Sequence, residues 1–455
     1  MELLSINEIL SAINGEIIVD GKDYFFSNVN TDTRKIEENS IFFALKGENF
    51  NGNDYVLEAA GKGAKICIVD EVKIPENTPV NCTIIKVNST REALLNLAKY
   101  YREKLGIKII GVTGSTGKTS TKDILAALLS ERFKVFKTIG NYNNEIGLPL
   151  MIFQLDRSYD VAVLEMGMSN FNEIHVLADA SRPDIALITN IGMSHIENLK
   201  SRENILKAKM EIVDFFNKDN FLVVNGDDDF LADLMPDNYQ IIKTGTNDNF
   251  NIYAKDIKLL EDCTEFAVEA EGEEYRFVLP MLGKHNVQNC LLGIAAGRLL
   301  GMSLKDMNKG LNNIVPTSMR LEIIKKDDFI IINDCYNASP SSIKAALDVQ
   351  KNIQGKRKIA ILGTMRELGD ESFNAHMEVG KYAKVLGVDL ILACGEFSEG
   401  YEEGFGKEGC ILFDTKEMLI NSLKNNLKKE DIILVKASRG MKFEDIIKEL
   451  KGLNL

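Results

Sequence analysis

The sequence has no long hydrophobic run. Nowhere do apolar residues continue for the ~18 positions that a membrane-spanning helix needs. None of its seven cysteines (Cys67, Cys82, Cys263, Cys290, Cys335, Cys394 and Cys410) forms a C-x-x-C pair. That removes the usual dithiol and zinc signatures, and the cysteines are expected to be reduced core residues. There is no surplus of positive charge either. The formal net charge is −13, which argues against a general nucleic-acid surface. Low-complexity tracts and solenoid-type repeats are absent. The opening stretch, MELLSINEIL, lacks the basic start of a signal peptide and reads as an amphipathic helix, so a cytoplasmic location is the expectation.

What is present is ordinary in bulk: 455 residues, 45% hydrophobic and 27% charged, enough for several domains with their own cores. Three blocks emerge along the chain. The first mixes short β-like runs (SIFFAL, KICIVD, TIIKV) with short helical ones. The second alternates strand and helix from KIIGVTG through DVAVLEMG, DIALITNIG and NFLVVNGDD. It then turns β-rich at NIYAKDIKLL, TEFAVEA and YRFVLPML, before the helix NVQNCLLGIAAGRLLG. The third, starting near Pro316, alternates again at DFIIINDCYNASP, KRKIAILGTM, GVDLILACG and DIILVKASRG. Buried apolar strands alternating with amphipathic helices predict parallel α/β sheets. In such sheets ligands bind beyond the carboxyl ends of the strands, and most of the unusual polar clusters fall there.

One cluster is IIGVTGSTGKTSTKDILAALL, residues 109–129. The pattern predicts a strand over 108–112, a loop over 113–117 and a helix from about Lys118. Gly114 and Gly117 allow positive φ and close approach of an anion to the backbone. The N–H groups of Ser115, Thr116, Gly117, Lys118, Thr119 and Ser120 lie on the loop and helix start, where the helix dipole favours a phosphate. Lys118 supplies a point charge, and the Thr119 hydroxyl can ligate Mg²⁺. The full Walker pattern would need glycine where Val112 stands, so the loop is a shortened form.

Magnesium needs further hard oxygen ligands. VAVLEMG puts Glu165 at a strand end, as a metal carboxylate or a helix-capping acid. IALITNIGMSHIENL puts Asn190, Ser194 and His195 past the next strand. Lys209 lies fourteen residues beyond His195, in ILKAKMEIVDFF. As an ammonium it cannot ligate a cation, and on chemistry alone it reads as a solvated helix residue.

Taken together these segments resemble the Mur ligase family of ATP-dependent amide-forming enzymes. The resemblance covers nearly the whole chain. It rests on TDTRKIEENSIFFALKGENFNGNDYV, GVTGSTGKTSTKD, GNYNNEIGLPL, LEMGM, NIGMSHIEN with KAKMEI, GKHNVQNCLLGIAAG, MRLEII, DCYNASPSS, LGTMRELGDES and VKASRGMK. The shortened phosphate loop is this family's form. The DNPR motif of the sister branch that adds the third peptide residue is absent, which favours the branch that adds D-alanyl-D-alanine.

The resemblance implies three domains. A small α/β domain (1–98) would bind a UDP-sugar-peptide. A central P-loop-type domain (99–316), with a mostly parallel sheet and added antiparallel strands, would bind ATP. A C-terminal Rossmann-like domain (317–455) would bind the incoming dipeptide. It implies ATP and Mg²⁺ as cofactors, with UDP-MurNAc-tripeptide and D-alanyl-D-alanine as substrates. No nucleic-acid partner and no membrane span are expected, and the protein is expected to be a monomer.

Carried over residue by residue, Glu165, His195 and Thr119 would hold Mg²⁺. Lys209 would join them as a carbamate, a choice over nearby Lys207 that rests on spacing. Asn286, with His285, would contact adenine, or else cap its helix. Arg320 would reach the γ-phosphate, and Asp334 the ATP ribose or the loop around it; a surface arginine and a turn aspartate are the plain alternatives. Thr31, Asp32, Thr33, Arg34, Lys46 and Gly47 would face the uridine diphosphate. Asn141, Asn143 and Asn144 would line the cleft between the first two blocks, with Pro149 closing that segment. Lys436, Ser438 and Arg439 would meet a peptide carboxylate or form a basic cap.

The reaction implied is phosphorylation of a carboxylate by ATP followed by attack of an amine, with Lys118, Lys209 and Arg320 as the working residues. Closure of the third block onto the second is expected to exclude water. His376 is a weak candidate for the amine's base and is otherwise expected on a helix surface. A folylpolyglutamate-type ligase would lack the uridine motif. A nucleotide switch would not need the carbamate spacing or the third block.

Overall fold

The computed structural model describes residues 1–21, 25–75, 78, 81–315 and 317–455. Pro316, the expected border of the third block, lies outside them. The described chain packs as two compact units. One comprises Met1–Val112, Phe133–Ala186 and Met210–Phe221, and the other Thr113–Arg132, Leu187–Lys209 and Leu222–Leu455. Residues of the middle sequence block therefore occur in both.

The first unit opens with the helix Ile6–Ile13, started by a capping box. Glu8 N–H donates to the Ser5 hydroxyl, and the Glu8 carboxylate accepts from the Ser5 N–H. A five-stranded sheet follows in the order Glu16–Val19, Thr83–Lys86, Ala64–Val69, Ser40–Phe43, Asn28–Asn30. Only the first pair is antiparallel. Its core gathers Phe42, Ala44, Val56, Ala59, Cys67 and Ile84. The helix Thr90–Leu105 is capped by Ser89 and stopped by Gly106 at φ 69°. It leads into the strand Lys108–Thr113, which pairs in parallel with Val161–Glu165; that strand pairs in parallel with Val135–Lys137.

The second unit begins at the turn after that strand and continues as the helix Lys118–Leu129. This helix packs against Lys284–Leu299, where Gly293 leaves room for Leu128: a Cβ there would come within 2.7 Å of Leu128 Cδ1. The strands Gln240–Gly245 and Ile252–Leu259 pair in parallel, then Thr264–Ala270 and Glu273–Leu279 extend them antiparallel. The chain ends in a six-stranded sheet. Its order is Glu322–Lys325, Ile330–Asn333, Asp431–Lys436, Arg357–Gly363, Leu390–Cys394, Cys410–Phe413, parallel after an antiparallel first pair.

Apolar cores cover both faces of this last sheet. One holds Ile343, Leu347, Val379 and Tyr401 from the helices Pro340–Asn352, Ser372–Val385 and Ser398–Phe405. The other holds Leu419, Leu423, Ile446 and Leu450 from Lys416–Asn426 and Glu444–Gly452. This is the mixed α/β architecture with mostly parallel sheets that the strand pattern predicts. All seven cysteines are free thiols, six of them buried. Among the described residues no helix is long and apolar enough to cross a membrane.

Candidate active site

In the second unit the turn Thr113–Gly117 is built around its two glycines. Gly114 has φ 149°, and a Cβ on it would lie 1.8 Å from Thr189 Oγ1. Gly117 has φ 81°, and a Cβ there would meet Asn289 Oδ1 at 2.8 Å. Only glycine fits either place. The loop is braced from the segment after the strand Ile185–Ile188. Ser115 N–H donates to the Asn190 carbonyl at 3.0 Å, and Thr116 N–H to Asn190 Oδ1 at 3.1 Å. Thr189 Oγ1 donates to the Thr116 carbonyl, and Gly192 N–H to Ser115 Oγ at 2.9 Å. Ser194 Oγ donates to the Ser115 carbonyl at 3.3 Å. Lys118 curls back so that its Nζ donates to the Gly114 carbonyl at 2.7 Å. Thr119 is buried and Ser120 half-buried on the same helix.

Lys207 and Lys209 share the helix Arg202–Met210, but only Lys207 is exposed. Lys209 is 1% exposed, so it is not a solvated helix residue. Burial, followed by the nearby Lys118 charge, drives its amine well below the ordinary lysine pKa. His195 has φ 65° and heads the short helix Ile196–Leu199. Its Nδ1 lies 2.6 Å from a Glu367 carboxylate oxygen, close enough for an ion pair yet poorly aligned for a hydrogen bond. The contact lowers the Glu367 pKa.

Asn286 is buried on the third residue of its helix, where Gly283 occupies the N-cap. Its Nδ2 donates to the Leu282 carbonyl at 2.8 Å, and its Oδ1 accepts from Asn289 at 3.2 Å. Burial lowers the pKa of its neighbour His285 to about 4.

Arg320 stacks on Tyr336, its guanidinium carbon 4.1 Å from the ring centroid. Its Nη2 donates toward Thr119 Oγ1 at 3.4 Å. Asp334 is engaged on both oxygens. Oδ1 accepts from Leu321 N–H at 3.1 Å, and Oδ2 from Lys436 Nζ at 2.5 Å. Lys436 is thus buried against Asp334, and burial lowers its pKa although Asp334 opposes that.

A pocket in this unit is lined by Ser194, Ser339, Arg366, Glu367, Ser438 and Arg439, among others. Ser438 Oγ accepts from the Arg366 N–H at 2.9 Å, and exposed Arg439 pairs with Glu444 at 3.0 Å.

His376 is not on a surface. It is 0% exposed, because Gly400 lets the helix Ser398–Phe405 approach it and Tyr401 and Phe397 pack on its ring at 4.8 and 5.6 Å. Its Nδ1 donates to the Ser372 carbonyl at 2.6 Å and its Nε2 accepts from Met365 N–H at 2.9 Å. Both nitrogens are used, which removes it as a base for an incoming amine.

In the first unit Glu165 ends its strand in register with Val112 and is buried. Its Oε1 accepts from Asn143 Nδ2 at 2.9 Å, and its N–H donates to Thr138 Oγ1 at 2.9 Å. Asn144 Oδ1 accepts from Gly147 N–H at 2.8 Å at the start of the helix Gly147–Ile152, which contains Pro149. The Asn141 carbonyl accepts from Asn143 N–H at 2.8 Å.

Asp32, next to Thr31, caps the turn Thr33–Lys35. Its bonds to Arg34 lower its pKa to about 2. Thr33 Oγ1 donates to Glu58 at 2.9 Å. Lys46 pairs with Asp70 at 3.2 Å and Glu71 at 2.8 Å, and Gly47 lies against the Phe50 ring.

Thr189, Asn289, Tyr336, Arg366 and Glu367 belong to these arrangements and were not singled out from the sequence. For Asn289 a signal exists, since it stands three residues after Asn286 on one helix face.

Known proteins match this chain along most of its length. Family models match at residues 26–102 (Mur ligase family, catalytic domain), 112–297 (Mur ligase middle domain) and 319–439 (Mur ligase, glutamate ligase domain). A protein of Bacillus subtilis named UDP-N-acetylmuramoyl-tripeptide–D-alanyl-D-alanine ligase is 42% identical over 93% of this chain and 92% of its own. Its namesake in Escherichia coli is 31% identical over 98% of each. Among solved structures, MurF from Acinetobacter baumannii superposes with a TM-score of 0.92 at 30% identity, over 100% of both chains. MurF from Thermotoga maritima in complex with ADP gives 0.84 at 29%, over 93% of this chain and 97% of that one. The chain therefore belongs to the Mur ligase family.

Proposed function

We infer that this chain is an ATP-dependent ligase that joins D-alanyl-D-alanine to UDP-N-acetylmuramoyl-tripeptide, the reaction named for its near-full-length relatives. The structural observation that carries this reading is the phosphate loop, braced from Thr189 and Asn190 and covered by Lys118, with Arg320 reaching its Thr119.

The terminal carboxylate of the tripeptide attacks the γ-phosphorus of ATP. The bond to the β–γ bridging oxygen breaks, leaving an acyl phosphate and ADP. The dipeptide amine then attacks the acyl carbon, phosphate leaves, and the amine's proton passes to a base. The first step brings two anions together, so positioning and positive charge carry it. The N–H groups from Gly117 to Ser120 would hold the β- and γ-phosphates, since those of Ser115 and Thr116 already donate to Asn190. Lys118 and Arg320 offset charge on the transferring group, and Asn286 meets the adenine. Ser438 and Arg439, in the pocket they share with Arg366, bind the dipeptide carboxylate. Residues 1–98 would hold the uridine diphosphate through Thr31, Asp32, Thr33, Arg34, Lys46 and Gly47. Residues 99–316 would hold ATP, and 317–455 the dipeptide.

A magnesium ion would be held by Thr119, His195 and a carbamylated Lys209 of the second unit, and would neutralise phosphate charge. The buried, low-pKa amine of Lys209 supports its part in this set, because the neutral amine can form a C–N bond to carbon dioxide and release a proton, leaving an anionic oxygen ligand. The enzyme is proposed to act as a cytoplasmic monomer on small molecules.

Phosphate release tests the reading. It should require ATP, the nucleotide-linked tripeptide and D-alanyl-D-alanine together, with the pentapeptide product found by mass. Brisk release from ATP alone would refute it.

A further inference from the structure

The guanidinium of Arg320 is held in an unusual way. Both of its chain neighbours are non-glycine residues in the left-handed region, Met319 at φ 60° and Leu321 at φ 53°. Such a conformation is costly for bulky side chains and persists only where the surroundings enforce it. They do so here. Leu321 N–H donates to Asp334 Oδ1 at 3.1 Å, and Tyr336 N–H to the Met319 carbonyl at 3.4 Å. Upstream, Thr317 Oγ1 donates to Asp123 Oδ2 at 2.6 Å, on the helix that begins with Lys118. Asp334 is itself tied to Lys436 at the end of the neighbouring strand. The backbone on either side of Arg320 is therefore pinned. Its side chain lies on the Tyr336 ring at 4.1 Å, and its Nε is buried without a hydrogen-bond partner among the described residues.

We propose that Tyr336 is a positioning residue for phosphoryl transfer: its ring face sets the plane of the Arg320 guanidinium and aims Nη2 at the Thr119 end of the phosphate loop. The idea rests on the reading of Arg320 as a γ-phosphate cation. The choice of an aromatic ring has a physical reason. A carboxylate would orient a guanidinium equally well but would neutralise it. A ring face attracts the cation through its quadrupole and leaves the N–H edge and the net charge available to an incoming phosphate. The chain has 67 acidic residues, yet among the described residues this arginine is seated on a ring and not in an ion pair. Arg439 shares the same ring at a longer 5.8 Å and is exposed, with Glu444 as its partner. The ring acts mainly on Arg320.

A double-mutant cycle tests this. Tyr336→Phe keeps the ring face and should stay within about twofold of wild type, whereas Tyr336→Leu should lower kcat about tenfold. KM for ATP should change little, since Arg320 acts on charge that moves during transfer. In an Arg320→Ala background, Tyr336→Leu should have no further effect. Tyr336→Met, flexible and without a π face, repeats the test if the leucine variant melts early. Undiminished kcat in both ring-less variants, or an equal loss with and without Arg320, would overturn the proposal. A near-normal Arg320→Ala would instead refute the phosphate role of Arg320, a separate outcome.

Discussion

Acidification should loosen the turn that carries Arg366 and Glu367, through His376. The imidazole is buried, donates from Nδ1 to the Ser372 carbonyl and accepts at Nε2 from Met365 N–H, one residue before Arg366. Protonating Nε2 would set one donor against another in a dry site. Burial accordingly lowers the pKa from 6.5 to about 4. The unfolded chain therefore binds the proton more readily in this window. The stabilisation is complete above the unfolded value, falls as pH drops from 6.5 toward 4, and is gone below. A gap of 2.5 units corresponds to about 3 kcal/mol in the limit and about 2 kcal/mol at about pH 5.

His376→Asn removes this titration. It should destabilise at neutral pH by about 2 kcal/mol, because Met365 N–H loses its acceptor in a buried place. Its deficit against wild type should then shrink on acidification. His285, also lowered to about 4, contributes to both proteins and cancels in the difference. The chain has no tryptophan, so circular dichroism in urea and hydrogen exchange of the peptide containing Met365 are suitable readouts. If wild type and His376→Asn lose stability in parallel between neutral pH and about pH 5, or if the imidazole titrates near its ordinary value, the reasoning fails.

Lys118→Ala should leave the circular dichroism spectrum intact and lower turnover by on the order of 10²–10³, because the lost charge is the one proposed to act on the transferring phosphoryl group; near-normal turnover by the folded variant would remove the phosphate-loop assignment. Lys209→Ala should be nearly inactive and partly rescued by acetate, while buffer freed of carbon dioxide should slow wild type and leave the variant's residual rate unchanged. Mass spectrometry of the intact protein under carbon dioxide, or a density map showing a bare Lys209 ammonium in an active complex, decides that point independently.

Local chemistry in the sequence was enough for the α/β class and for the strand, turn and helix around residues 113–117. Apolar runs such as KIIGVT and VAVLE, short, rich in β-branched residues and bounded by turn signals, read as strands buried on both faces, and the glycines at 114 and 117 before Lys-Thr mark a strand-to-helix turn. These signals lie within a few residues of one another, so no long-range contact was needed to read them. Burial and partnership were decided by the tertiary structure. Lys207 and Lys209 are two residues apart with the same side chain, yet only packing turns Lys209 inward. His376 reads as a surface residue until Gly400 and Tyr401, more than twenty positions away, close over it. Arg320 finds Tyr336, and Asp334 finds Lys436, only when the strand ends of the last sheet come together. A local pattern records backbone preference and the average polarity of a face. Which charge is desolvated, and against what, depends on contacts between residues distant in sequence, and those contacts exist only in the folded chain.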